Sequence, residues 1–242
     1  MRVIAFAGPS LPPSARTAVT GIEWRPPVEA GDLLRLDAGP GTTICLVDGY
    51  FDHRPAVRHK EILLLLSAGA RVLGSASIGA LRAAEMDGMG MIGVGAIYRA
   101  YRRGTVRGDD EVALIHGDAA SGWKPLSVPL VDIRATLARA VRTKTIDAAG
   151  ARALLGRAAA IHYVDRSRSE VARWLPGTLV EQKRTDADQC LLAALHGVAD
   201  RPRPGRIVTS ALRALGRECG IDLEARAKED HSARGSGGVE PT

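Results

Sequence analysis

Residues 74–85 read Gly74-Ser75-Ala76-Ser77-Ile78-Gly79-Ala80-Leu81-Arg82-Ala83-Ala84-Glu85. The apolar run before them, 70–73, has the length of a short buried strand. Ala, Leu, Arg and Glu, strong helix formers, follow. Only small residues lie between. A strand that turns sharply into a helix through small residues holds one side chain out at the turn, and the free N–H groups of the helix's first turn point at whatever sits there. The side chain so presented is Ser77, with Ile78 and Gly79 as donors. The pattern departs at its first position, Ser75, from the Gly-x-Ser-x-Gly elbow of the α/β-hydrolases. Two serines therefore compete for the nucleophile's place, and the same residues also fit a serine that merely caps a helix.

Working outward, apolar runs at 3–7 and 42–47 read as further buried strands, with a poorer one at 21–25. Each of the first two ends in residues that break structure, Gly8-Pro9-Ser10 and Asp48-Gly49-Tyr50, where α/β sites assemble. Pro55 is placed to open a helix reaching Ser67, with His59 beside its apolar face. Helix is expected over 94–103 and a strand over 112–116, ending at His116. The fold expected is α/β. Strands near 3–7, 43–47, 70–74 and 112–116 lie parallel in one sheet, because helices or long connections separate them. After about residue 130 only helical patterns occur, at 131–142, 147–160, 167–175 and 186–195, with Asp147 as an N-cap. The organisation read from the chain is a core over 1–125, an all-helical region over 126–200, and a linker and tail over 201–242 with 231–242 disordered.

Other patterns carry less. Gly88-Met89-Gly90-Met91-Ile92-Gly93 spells Gly-x-Gly-x-x-Gly but lacks the preceding strand of a dinucleotide site. It reads as a glycine loop between helices. Asp109-Asp110-Glu111 reads as a solvated turn, since successive side chains diverge. His162 and His196 read as structural or surface residues. The cysteines Cys45, Cys190 and Cys219 are far apart and have no zinc spacing, and Cys45 reads as a small buried hydrophobe. No metal or cofactor is expected. The 242 residues carry 33 Lys and Arg against 27 Asp and Glu. The basic residues are spread, without aromatics interleaved in a block, which argues against nucleic acid as a partner. No apolar run reaches the roughly 18 residues of a membrane span. The apolar stretch at 3–7 is too short for a signal peptide, so a cytoplasmic location is expected.

Several pieces occur in a set order: Phe6-Ala7-Gly8-Pro9-Ser10-Leu11, Val47-Asp48-Gly49-Tyr50-Phe51, His59-Lys60-Glu61-Ile62-Leu63, 77–85 from Ser77 to Glu85, and Asp110-Glu111-Val112-Ala113. Together they resemble the TfuA-like family, the partner proteins of YcaO enzymes, over about 3–134. The resemblance implies a role in peptide backbone thioamidation. There the YcaO enzyme activates an amide with ATP, and the TfuA-like protein supplies sulfide by hydrolysing the C-terminal thiocarboxylate of a ubiquitin-like sulfur carrier of the ThiS type. The partners implied are the YcaO enzyme and the carrier, with a precursor peptide as a further candidate.

Hydrolysis of a thiocarboxylate is acyl transfer to water, which asks for a nucleophile, a base and an oxyanion site. The expected set is Ser77 as nucleophile, His59 as base with Lys60 second, and Asp48 orienting either. The N–H groups of Ile78 and Gly79 would hold the oxyanion. Gly8 and Ser10 would form the mouth, and Arg82 would meet the anionic thiocarboxylate or pair with Glu85. Attack by water directly, without an acyl-enzyme, is an open alternative. Two rival readings are a non-catalytic adaptor that recruits carrier or peptide, with Ser77 as a helix cap, and an ordinary serine esterase or peptidase.

Overall fold

Apolar residues in a fully buried parallel sheet need cover on both faces, and the strands here alternate between two cores. The computed structural model describes residues 1–50, 54–198, 201, 204 and 209–223. Five parallel strands, β1 (Arg2–Phe6), β2 (Ile22–Arg25), β3 (Thr42–Leu46), β4 (Arg71–Gly74) and β5 (Ile92–Gly93), form one sheet in the order β2-β1-β3-β4-β5. All four pairings are parallel. The expected α/β architecture is observed.

Nine helices belong to the described residues: α1 (Pro13–Thr17), α2 (His59–Ser67), α3 (Ile78–Glu85), α4 (Ala96–Arg102), α5 (Leu130–Arg142), α6 (Ala148–Ala160), α7 (Arg168–Ala172), α8 (Gln182–His196) and α9 (Ser210–Glu218). Ile4, Phe6, Ile44, Leu46 and Val72 face one way and pack on Ile62, Leu65 and Leu66 of α2 and Ile78 and Ala83 of α3. Val3, Ala5, Cys45, Val47 and Leu73 face the other way and pack on Ala187, Cys190, Leu191 and Ala194 of α8. A helix from the C-terminal half is thus the cover of the second face. The helices α5, α6 and α7 share a smaller core built on Ile133, Leu137, Ala158 and Val171.

The structure corrects several expectations. Residues 112–116 are not a strand of the sheet. A 3-10 turn covers Asp109–Glu111, and His116 makes only an isolated antiparallel bridge to Pro125. The fifth strand is β5, inside the glycine-rich stretch. Gly90 there takes φ of 100°, which a glycine adopts at little cost, and turns the chain into the sheet. Helix α2 starts at His59, not at Pro55, because Glu61 reaches back to the Arg58 N–H at 3.1 Å. Helix α8 begins four residues before 186. The segment 201–242, expected as linker and tail, includes α9, whose Leu212 and Leu215 pack on Leu34. Most of 201–205 and all of 231–242 lie outside the described residues, as does Phe51. The expected N-cap is observed, with the Gly150 N–H donating to Asp147 Oδ1 at 2.7 Å.

Candidate active site

The chain runs from β1 to β2 on one side and returns to β3 on the other, so the strand order reverses between β1 and β3. In open α/β sheets ligands bind at such a reversal, outside the carboxyl ends of the strands. Ser10 follows β1, Asp48 follows β3 and Ser77 follows β4. Asp48 is buried and is the hub. Its Oδ2 accepts the N–H groups of Gly8 and Ser10, each at 2.9 Å, and its Oδ1 accepts the Ser10 hydroxyl at 2.7 Å. The loop after β1 is held on this carboxylate.

The elbow is strained where it turns. Ala76 has φ of 61°, a left-handed conformation in a residue other than glycine, which costs on the order of 1 kcal/mol or more. The small side chains are required. A Cβ on Gly79 would collide with the Leu46 carbonyl oxygen, so only glycine lets α3 start this close to β3. Ser77 stands in the N-cap position of α3 but makes no side-chain cap bond. Its hydroxyl is used elsewhere: Lys183 Nζ donates to Ser77 Oγ at 3.1 Å.

Lys183 stands in the first turn of α8 and is buried. Its Nζ also donates to the Val112 carbonyl at 2.9 Å and lies 3.8 Å from Asp48 Oδ1. Burial lowers the Lys183 pKa from its ordinary value, against the opposing attraction of Asp48 and Asp132. Burial shifts an amine toward its neutral, proton-accepting form. The backbone N–H of Lys183 is fixed by Asp132 Oδ1 at 3.0 Å. Burial lifts the Asp132 carboxyl to about 7, although Lys183 pulls it the other way. Ser77, Asp48 and Lys183 line one cavity of about 340 Å³, together with residues 112–116, Tyr50 and Arg54. A buried serine hydroxyl hydrogen-bonded to a desolvated lysine is one of the known variants of the nucleophile–base pair.

The remaining expected residues fall in three places. Gly8 and Ser10 join the Asp48 hub, as above. Ile78 and Gly79 are buried behind Ser77 and contribute no atom to the cavity wall, although no hydrogen bond of the described residues uses their N–H groups. His59, Lys60, Arg82 and Glu85 are gathered elsewhere. His59 Nε2 meets Glu85 Oε2 at 2.7 Å, and Glu85 also accepts from Arg82 at 2.7 Å. Arg82 donates in addition to the Val57 carbonyl. Glu85 is eight residues along α3 from Ser77, about 12 Å at 1.5 Å per residue, so the structure does not bring His59 to Ser77. Lys60 is exposed at the start of α2. Ser75 is fully buried, and its hydroxyl lies within 2.9 Å of the carbonyls of Val94 and Asp186. It ties the sheet to α8 and has no access to the cavity. The carboxylates at 109–111 divide: Glu111 is held by Arg134 at 2.8 and 2.5 Å. Among the described residues no group of three or more His, Cys, Asp and Glu could hold a metal ion.

The residue missed by sequence reasoning is Lys183. A signal for it exists: Lys183, Ala187, Cys190, Leu191 and Ala194 fall at helical spacing on one stripe, and a lone lysine on a buried stripe is unusual.

The family model described as TfuA-like protein matches residues 48–167. The chain belongs to the TfuA-like family. No curated protein matches it. The matched segment of this TfuA-like chain contains Asp48, Ser77 and the wall at 112–116, but neither Ser10 before it nor Lys183 after it. The site is therefore completed by a helix beyond the matched region. No helix of the described residues is long and apolar enough to cross a membrane.

Proposed function

We propose that this protein is a thiocarboxylate hydrolase that uses Ser77 as nucleophile and Lys183 as base. Membership of the TfuA-like family supports a place in backbone thioamidation. The observation that carries the chemistry is the 3.1 Å contact between Ser77 Oγ and a buried lysine whose pKa is lowered. The neutral Lys183 amine takes the Ser77 proton as Oγ attacks the acyl carbon of the thiocarboxylate. The carbon–sulfur bond breaks, and the proton on Lys183 leaves with sulfur as hydrosulfide. Water then attacks the acyl-serine ester, with Lys183 again as base, and releases the carboxylate. Asp48 holds Lys183 and the β1 loop in place. The substrate proposed is the C-terminus of a ubiquitin-like sulfur carrier, and the sulfide is proposed to pass to a YcaO enzyme in the cytoplasm.

The test is Ser77→Ala, with sulfide release from a thiocarboxylated carrier and melting temperature measured on the same sample. A loss of several powers of ten in rate with folding intact is expected when a member of a catalytic set is removed. Ser75→Ala is the control and should lower the melting temperature while leaving the chemistry, since its hydroxyl serves two backbone carbonyls. Wild-type protein that binds carrier but releases no sulfide would refute hydrolysis in favour of an adaptor. Turnover of simple esters in preference to the carrier would favour an esterase.

A further inference from the structure

Five consecutive residues, 112–116, border the catalytic cavity. Alternate side chains of an extended chain point to opposite faces. An unbroken run along one wall therefore means that the backbone edge itself borders the space. The hydrogen bonds identify which edge. The Gly117 N–H donates to Lys124 O at 2.9 Å and the Leu126 N–H to Ile115 O at 2.7 Å, flanking the bridge between His116 and Pro125. His116 is thus in a non-hydrogen-bonded position of an antiparallel pair, and its own N–H and C=O point away from 124–127. Leu114, two residues back, shares that direction. Ile115 between them is satisfied on the paired side, its N–H donating to Ser127 Oγ at 2.8 Å. No hydrogen bond of the described residues uses the backbone groups of Leu114 or His116. The paired side borders a second cavity, which shares Pro9, Leu114 and Lys183 with the catalytic one but is lined on its own by Pro125, Ser127 and Val128. The edge turned away from Pro125, Ser127 and Val128 lies on the side of the cavity that Ser77 also lines.

We propose that this open edge binds the substrate as an added β-strand, so that the site takes the extended C-terminal segment of a polypeptide. The terminal acyl carbon lies at Ser77, beside Val112, whose carbonyl already holds Lys183. The preceding residues run toward His116, with backbone hydrogen bonds to Leu114 and His116. This rests on the hydrolase reading above and specifies how its substrate is recognised. Val112 closes the turn at 109–111, and from 113 to 116 an extended chain covers about 10 Å at 3.3 Å per residue, room for about three substrate residues beyond the terminal one. Tyr50, with its ring centroid 6.0 Å from that of His116, and Arg54, 4.5 Å from the Tyr50 ring centroid, stand at the far end. In this mode main-chain bonds supply affinity, so the site selects a chain with free backbone donors over a compact acyl group.

The probes are alanine peptides of one to five residues ending in a thiocarboxylate. The expected result is a kcat/KM that rises with length up to about four residues and then levels off. N-methylation of single peptide nitrogens in the five-residue probe should lower kcat/KM about five- to tenfold, the worth of one hydrogen bond, at alternate positions only. Calorimetric binding of the same peptides as ordinary carboxylates should repeat the alternation without any turnover. Alternating binding with no sulfide release would refute the hydrolase reading and keep the edge. A flat length series, equal losses at neighbouring nitrogens, or neither turnover nor binding would overturn the proposal.

Discussion

Lys183→Met separates the base from its surroundings. Methionine keeps a long unbranched chain in the site but removes the amine. Two hydrogen bonds are lost, to Ser77 Oγ at 3.1 Å and to the Val112 carbonyl at 2.9 Å. At about 1 kcal/mol each their loss costs about 2 kcal/mol. The desolvation that lowers the Lys183 pKa disappears with the amine and offsets part of this. Asp48 keeps its three other donors, from Gly8 and Ser10, so it is not left unpaired. For a chain of this length 1 kcal/mol moves the melting temperature by about 2–4 °C, and a fall of no more than about 8 °C is expected. Loss of a general base costs roughly 10²–10⁴-fold in rate. The assay is sulfide release under single turnover, beside a thermal melt of the same preparation. A Lys183→Met protein that melts within this range and keeps more than about a tenth of the wild-type rate would refute the pairing of Ser77 with Lys183.

Asp132→Asn should flatten the dependence of stability on pH. The folded Asp132 carboxyl titrates near 7, above its unfolded value, so the folded state holds the extra proton. Its contribution is full below about pH 4, falls as pH rises toward 7, and is gone above that. Denaturant melts of wild type between pH 5 and 8 should show this fall and those of the variant a smaller one; an unchanged slope would refute it. Above about pH 7, where Asp132 is ionised, the same substitution removes one of the charges that raises the Lys183 pKa, so an acid limb of the rate profile lying there should move to lower pH. An acid limb that stays in place would remove Lys183 as its source. Gly79→Ala should destabilise by at least about 2 kcal/mol, because the added methyl meets the Leu46 carbonyl rather than a movable side chain; chemical denaturation at wild-type midpoint would contradict the close approach of α3 to β3.

The strands β1, β3 and β4 were legible because each is a short apolar run bounded by Gly, Pro or Asp, and such runs need little context. Residues 112–116 carry the same local signal yet remain outside the sheet. Ile115 and Gly117 spend their hydrogen bonds on 124–127, and β4 is extended instead by Ile92–Gly93. Two residues that start after a left-handed glycine have no periodicity to detect. The elbow that carries Ser77 was readable from its small residues, because a steric requirement is written locally. The lysine beside Ser77 was not, since Lys183 and Ser77 are more than a hundred residues apart and meet only when α8 covers the sheet.

Sequence alone thus determined the α/β class, the turn that carries Ser77, and the carboxylate after β3, all consequences of local sterics and hydrophobic spacing. Tertiary structure decided which serine faces the cavity, which cation stands beside it, and that His59 belongs to an ion pair with Glu85. Those outcomes depend on burial and on contacts between distant segments. A lysine becomes a base only where packing removes its water, and that environment is made by the fold rather than by the neighbours of Lys183 in the chain.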